Sequence, residues 1–323
     1  MRHSRRHFIK NSSTALGSLA VSIKSLGGPV PQTISEAVPP MDPPEGSAGI
    51  QPAEGTAGRY GTWTVKYQVG KGGIKKYGGI RVQLPDSWHS GIRNSANRLQ
   101  SSDPESDNYI SASCSQPGIE LRTWVEHEPG PEVVLVKDYR PGLDGRKTRY
   151  IFVVRVWALN ADLEEGRTLS VVFGNTSKGS SGMLAGIIST RPESVLVAVD
   201  NEGTGNFRLH PDRPTLVIRS GPAVELLAVG PSALIRGQPA ELLLSVVDAN
   251  QNPADSFDGE VLLRVTHGQA DVPSRARFDS TSGWEKVRFV PRATGILRIE
   301  ATGADGSLMR MRIPCRYLTV SRK

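Results

Sequence analysis

Cysteine is nearly absent: Cys114 and Cys315 are the only two in 323 residues. They lie far apart and match no metal-ligand spacing, which excludes cysteine-based metal motifs. They read as buried or free thiols, since a disulfide between them needs close, oriented Cβ atoms. Histidine is also sparse. His3, His7, His89, His127, His210 and His267 form no H-x-H, H-E-x-x-H or H-x-x-E-H arrangement. There is no G-x-S-x-G elbow and no Cys/His pairing. No stretch approaches the roughly twenty apolar residues that span a bilayer. Catalytic residues, metal ligands and cofactors are therefore assigned to none, and no membrane span is expected.

Acidic residues are missing from one end. Before Glu36 the only charges are Arg2, Arg5, Arg6, Lys10 and Lys24, five of the net +7. A second basic excess lies in residues 273–323, where eleven Lys and Arg face Asp279, Glu285, Glu300 and Asp305. The rest of the chain is mildly acidic. Positive charge confined to an N-terminal segment and one late region gives no continuous basic footprint, so a nucleic-acid partner is not expected.

The N-terminal charges have an order of their own. Ser4-Arg5-Arg6-His7-Phe8-Ile9-Lys10 resembles the twin-arginine export consensus, with Ser4, Arg5, Arg6, Phe8 and Lys10 as its elements. A weakly apolar run at residues 14–23 suits a signal h-region and is too short to span. Ser25-Leu26-Gly27 and Ser35-Glu36-Ala37 are candidate cleavage sites, and no cysteine there offers a lipid anchor. The expected partner is the twin-arginine translocase, which carries folded cargo, and the expected destination is periplasmic or extracellular.

Residues 29–58 are rich in Pro, Gly, Ala, Ser and Glu without periodicity and read as a disordered tether. Beyond them short alternating segments dominate. Trp63, Val65, Tyr67 and Val69 alternate with Thr64, Lys66 and Gln68, the pattern of a half-buried strand. Residues 80–84 alternate again. Residues 86–118 lose the pattern and read as a long functional or flexible loop. Strands resume at 119–125, 132–137, 149–158, 168–173, 194–199, 207–209 and 215–218. The stretch 150–157 is apolar enough for a central strand covered on both faces. After Gly221-Pro222, seven segments recur at roughly ten-residue spacing: 223–229, 240–247, 260–266, 284–290, 295–301, 307–313 and 317–320. The chain reads as all-β. A signal peptide (1–28) and tether (29–58) precede two immunoglobulin-like β-sandwich domains in tandem (59–220 and 221–323).

Several features invite a chemical reading. Glu126-His127-Glu128 reads as a solvated charged turn. Gly70-Lys71-Gly72-Gly73 and Ser177-Lys178-Gly179-Ser180-Ser181-Gly182 lack phosphate-loop spacing and read as turn glycines. The oxygen-rich loops 200–206 and 248–252 have the composition of calcium loops and of Asx turns, without an EF-hand pattern. Trp88 and Trp124 are the candidate stacking platforms for a glycan, while Trp63 and Trp157 fall in phase with core residues. Arg288, Arg298, Arg310 and Arg312 point away from their strands' apolar faces, as a basic sheet surface for an acidic partner would require. Charges at strand edges also deter edge-to-edge pairing.

Gly61-Thr62-Trp63-Thr64-Val65, Gly72-Gly73-Ile74, Gly79-Ile80-Arg81-Val82, Leu84-Pro85-Asp86-Ser87-Trp88 and Val197-Ala198-Val199-Asp200 with Gly203-Thr204-Gly205 resemble segments of a family of uncharacterised exported bacterial proteins. Gly237-Gln238-Pro239, Val247-Asp248-Ala249-Asn250, Asn252-Pro253 and Phe257-Asp258-Gly259 resemble an Ig-like repeat in the same family. Its full-length members carry, after this region, a PHP-like metal-dependent hydrolase domain with an Asp-x-His-type cluster. That cluster has no counterpart here, so no metal ligand is carried over. Glu165-Gly166-Arg167 also departs from the Gly-Asp that the resemblance leads one to expect. The leading expectation is a non-catalytic binding or positioning module with a glycan or protein partner. The competing expectations are an N-terminal fragment of the hydrolase and a carbohydrate-binding or adhesion module.

Overall fold

The computed structural model describes residues 44–85, 87–88, 99–125, 153–279, 282–303, 311–312 and 318–321. Among them there is no α-helix, and no helix long and apolar enough to cross a membrane. The signal segment, His89, His127, Arg310, Cys315 and the segment 132–137 lie outside the described residues.

Two facing sheets form the first sandwich. One runs Gly46–Gln51, Trp63–Val69, Thr168–Phe173, Ile110–Cys114; the other runs Arg208–Leu209, Leu196–Asp200, Gly79–Gln83, Val153–Ala158, Leu121–Val125. Every pairing in both sheets is antiparallel. Alternation dictates what goes inside: Trp63, Val65, Tyr67 and Val69 are all buried while Lys66 and Gln68 are exposed. They meet Ile80, Val82, Val154, Val156, Val197 and Val199 of the opposite sheet in one core. Val153–Ala158 is buried at every position and lies between two neighbours, as a central strand covered on both faces should be.

Every sheet of the second sandwich is built from residues after Gly221. One sheet runs Ala270–Asp271, Trp284–Pro291, Ala240–Val247, Glu225–Val229, Met311–Arg312. The other runs Ala233–Ile235, Leu318–Ser321, Gly295–Gly303, Gly259–His267, Arg275–Phe278. Leu242, Leu244 and Val246 face Leu297, Ile299 and Phe278 across a separate core. The fold is thus all-β, with β-sandwiches in tandem, each folded around its own apolar interior.

Two expectations are corrected. Residues 46–51 and 54–56, expected in the tether, are strands. Their sequence, Gly46 to Gln51, carries one large apolar residue. The strand is held by its register against Trp63–Val69 and by the Ala48 N–H donating to Asp212 Oδ2 at 2.8 Å. Likewise Ile110–Cys114 lies inside the stretch expected to be loop. Only Ile110 is fully buried there, and Ala112 and Cys114 pack as small residues against the core edge, so no hydrophobic signature marks the strand.

Candidate functional site

Among the described residues, those singled out in the sequence are not brought together. Trp88 is 1% exposed and packs edge-on against Trp63, with ring centroids 4.8 Å apart. It is a core side chain and offers no stacking platform. Trp124 is half-buried, stacked on Trp157 at 6.1 Å. Arg288 and Arg298 stand in different sheets of the second sandwich, so they share no face. The strand holding Arg312 is at the far edge of the sheet that holds Arg288. Arg288 faces Glu241 in register and pairs with it at 3.1 Å. Arg264–Glu300 at 3.0 Å repeats this in-register pairing, and Arg275 reaches Glu260 diagonally across its strand pair at 2.8 Å. Among the described residues, Arg275, Arg277, Arg288 and Arg292 are each met locally by a carboxylate, and such exposed pairs contribute little to stability. Cys114 is a half-buried free thiol.

The two oxygen-rich loops use their carboxylates internally. Asp200, 1% exposed, accepts the N–H groups of Glu202 and Thr204 on Oδ1 and of Gly205 on Oδ2. Asp248, 2% exposed, accepts four hydrogen bonds. Asn250 N–H and Asn252 N–H reach Oδ1 at 2.8 and 2.9 Å, and Gly221 N–H and the Asn252 amide reach Oδ2 at 2.8 and 2.9 Å. Both are Asx turns, in which a short carboxylate organises the backbone ahead of it. No group of three or more His, Cys, Asp or Glu that suits a metal ion lies among the described residues.

The second loop does more than turn the chain. Asn252 donates to Ile187 O at 2.8 Å and accepts the Ser189 N–H at 2.9 Å, both in the first sandwich. Asn250 donates to Ala57 O at 3.2 Å, and the Ser220 hydroxyl to Asp255 at 2.8 Å. At Gly58 the backbone φ of +67° favours glycine, and a Cβ there would lie 2.8 Å from Asn250 Nδ2, so any side chain would push the Asn250 amide aside. The loop is a polar clamp between the sandwiches, with Asp248, Asn252 and Ser220 all buried.

The outer face of the first sandwich's five-stranded sheet is also buried and unexpectedly polar. Arg81 and Arg155 stand opposite one another in register, at 4% and 3% exposure, with Gln83 at 5%. The Arg155 guanidinium lies 5.5 Å from the rings of both Trp124 and Phe207, within cation–π range. Sequence alternation reads Arg81 and Gln83 as solvent-facing. Nothing in the pattern distinguishes a polar face that is covered.

A latch fixes the first strand. His210, 1% exposed, accepts the Asp212 N–H on Nδ1 at 3.1 Å and meets Tyr67 edge-on at 5.6 Å. The Tyr67 hydroxyl donates to Glu45 O, and burial pushes its phenol up to about 12, so it remains a donor. Burial holds His210 below its ordinary pKa, against the opposing pull of Asp212. The neutral imidazole therefore favours the folded state. This stability is complete above about pH 6.5 and is lost as pH falls through the lower folded value. The urea midpoint is expected to drop between pH 7.5 and 5.5, with a shallower drop in His210→Gln. An equal slope in both proteins would assign the pH dependence elsewhere.

No family model and no curated protein sequence matches the chain. Solved structures are similar to it only distantly. FdeC, an Escherichia coli adhesin, is 13% identical with a TM-score of 0.38; the match covers 88% of this chain and 65% of that one. The D00-D0 domain of intimin is 10% identical with a TM-score of 0.28, over 85% and 97% of the two chains. A β-glycosidase from Bacteroides vulgatus is 8% identical with a TM-score of 0.25, over 71% and 24%. The chain spans just under two thirds of the adhesin's length.

Proposed function

We propose that this chain is a binding or positioning module that works outside the cytoplasm, exported through the twin-arginine pathway. The observation that carries the positioning role is the polar clamp. Two sandwiches joined only by chain connectivity reorient freely, whereas buried, directional hydrogen bonds across their junction favour one orientation. Asn252 makes three hydrogen bonds from one amide, two of them across the junction. Export is supported by the Arg5-Arg6 segment and the h-region after it. The PHP-like resemblance remains a proposal about ancestry and adds no chemistry to the residues present.

Spin labels at exposed Lys178 and Gln269, with Cys114 and Cys315 replaced by serine, test the clamp. A single narrow distance distribution is expected, broadened at least about twofold in Asn252→Ala, which removes both cross-junction bonds of this amide. A distribution already broad in the parent protein would refute the positioning role.

A further inference from the structure

Gln83 ends the central strand Gly79–Gln83, between Leu196 and Val153 in register. It is 5% exposed, yet its Oε1 accepts no hydrogen bond among the described residues. A buried amide oxygen without a donor is costly, and such groups are uncommon in folded proteins. Gln83 also lines an open cleft of about 340 Å³, with Leu84, Pro85, Glu193, Ser194 and Leu196. That volume falls within the range of small-molecule sites.

The lining defines what would fit. Gln83 Oε1 has two lone pairs to offer. Glu193 is an acceptor whose Oε2 already takes the Ser87 hydroxyl, and Ser194 can donate or accept. Pro85 and Leu196 give the cleft an apolar wall. Among the described residues the one charged group lining it is the Glu193 carboxylate, which repels an anion. Arg81 lies two residues along the same face, about 7 Å up the strand, with Arg155 beside it. With the Glu193 carboxylate in its wall and guanidinium groups farther along the strand, the cleft has no charge of one sign to select an ion. A neutral ligand with several hydroxyl donors and an apolar C–H face satisfies every wall.

We infer that the Gln83–Glu193–Ser194 cleft binds a neutral saccharide unit. The inference rests on the binding-module reading and gives it a ligand class. Gln83 Oε1, closed to solvent as the side chain stands, turns to accept from one hydroxyl; another donates to the Glu193 carboxylate, and the ring's C–H face lies on Pro85 and Leu196.

The test is ligand-observed saturation-transfer NMR on the full chain with D-glucose, D-galactose, D-mannose and N-acetyl-D-glucosamine, and with D-glucosamine and D-glucuronate as charged controls. At least one neutral sugar is expected to bind in the millimolar range. Affinity should fall at least about tenfold in Gln83→Leu, which keeps the packing and removes the acceptor. Ser194→Trp, at an exposed rim position, should block the cleft without touching the core and so stands in if Gln83→Leu fails to fold. No binding by any neutral sugar overturns the saccharide inference, while the spin-label result judges the positioning role separately. Preference for D-glucosamine or D-glucuronate overturns it in favour of a charged ligand. Binding that survives both cleft variants but is lost in Trp284→Ala, at a side chain 45% exposed on the second sandwich, overturns this site and leaves the binding-module reading standing.

Discussion

Gly79→Ala is expected to yield no folded first sandwich. A Cβ at Gly79 would lie 1.8 Å from the Val156 carbonyl oxygen, 2.9 Å from its carbon and 3.0 Å from Trp157 Cα. All three are backbone atoms of the neighbouring central strand, which has no rotamer to change. Relief requires the strands to separate, and Gly79 is held on both sides, opposite Trp157 and Asp200. Overpacking usually costs about 1–3 kcal/mol when side chains can shift. With backbone on the receiving end, the cost should exceed about 4 kcal/mol, a large part of a typical domain's stability. Near-UV circular dichroism and thermal melting are the measurements. A variant melting within a few degrees of the parent would mean the sheet accommodates the methyl group, and that the close approach is not what selects glycine there.

Much of this architecture is legible in the chain because the alternation is strong. Trp63–Val69, Thr168–Phe173 and Ala240–Val247 fall where large apolar residues recur every second position. Gly46–Gln51 and Ile110–Cys114 escape because each has a single large inward residue, Ile50 or Ile110, and their partners lie at Trp63–Val69 and Thr168–Phe173. Arg275–Phe278 alternates correctly but is only four residues long, too short for periodicity to stand out. The cleft is harder still. Gln83 looks like an ordinary outward polar residue, and burial of a sheet's polar face depends on what packs over it, which no local pattern encodes. Residues 248–252 announce a turn by composition, and the structure agrees. Composition does not say that the carboxylate reaches Gly221, or that Asn252 reaches Ile187 and Ser189.

That difference between a turn and a clamp sets the other large effect. Asp248→Ala removes the acceptor for the N–H groups of Gly221, Asn250 and Asn252 and for the Asn252 amide. Stranding a buried donor costs about 1–3 kcal/mol. With partial relaxation and water entry, the total should be roughly 3–5 kcal/mol, measurable as a lowered urea midpoint with an unchanged slope. Asp200→Ala should cost less. It also loses three N–H bonds, but Glu202 and Thr204 are exposed, so water can take over two of the donors. The isosteric Asp248→Asn separates chemistry from shape. Both carboxylate oxygens accept, so whichever way the new amide turns, its NH₂ faces donors, and the variant should lose nearly as much as alanine. If Asp248→Asn were as stable as the parent, the carboxylate would be only a spacer. If Asp200→Ala proved the more damaging, the junction would not be where the fold concentrates its buried polar energy. The expected order places it there. The same substitution should also broaden the Lys178–Gln269 distance distribution, since Asp248 fixes the Asn252 amide that reaches across to Ile187 and Ser189.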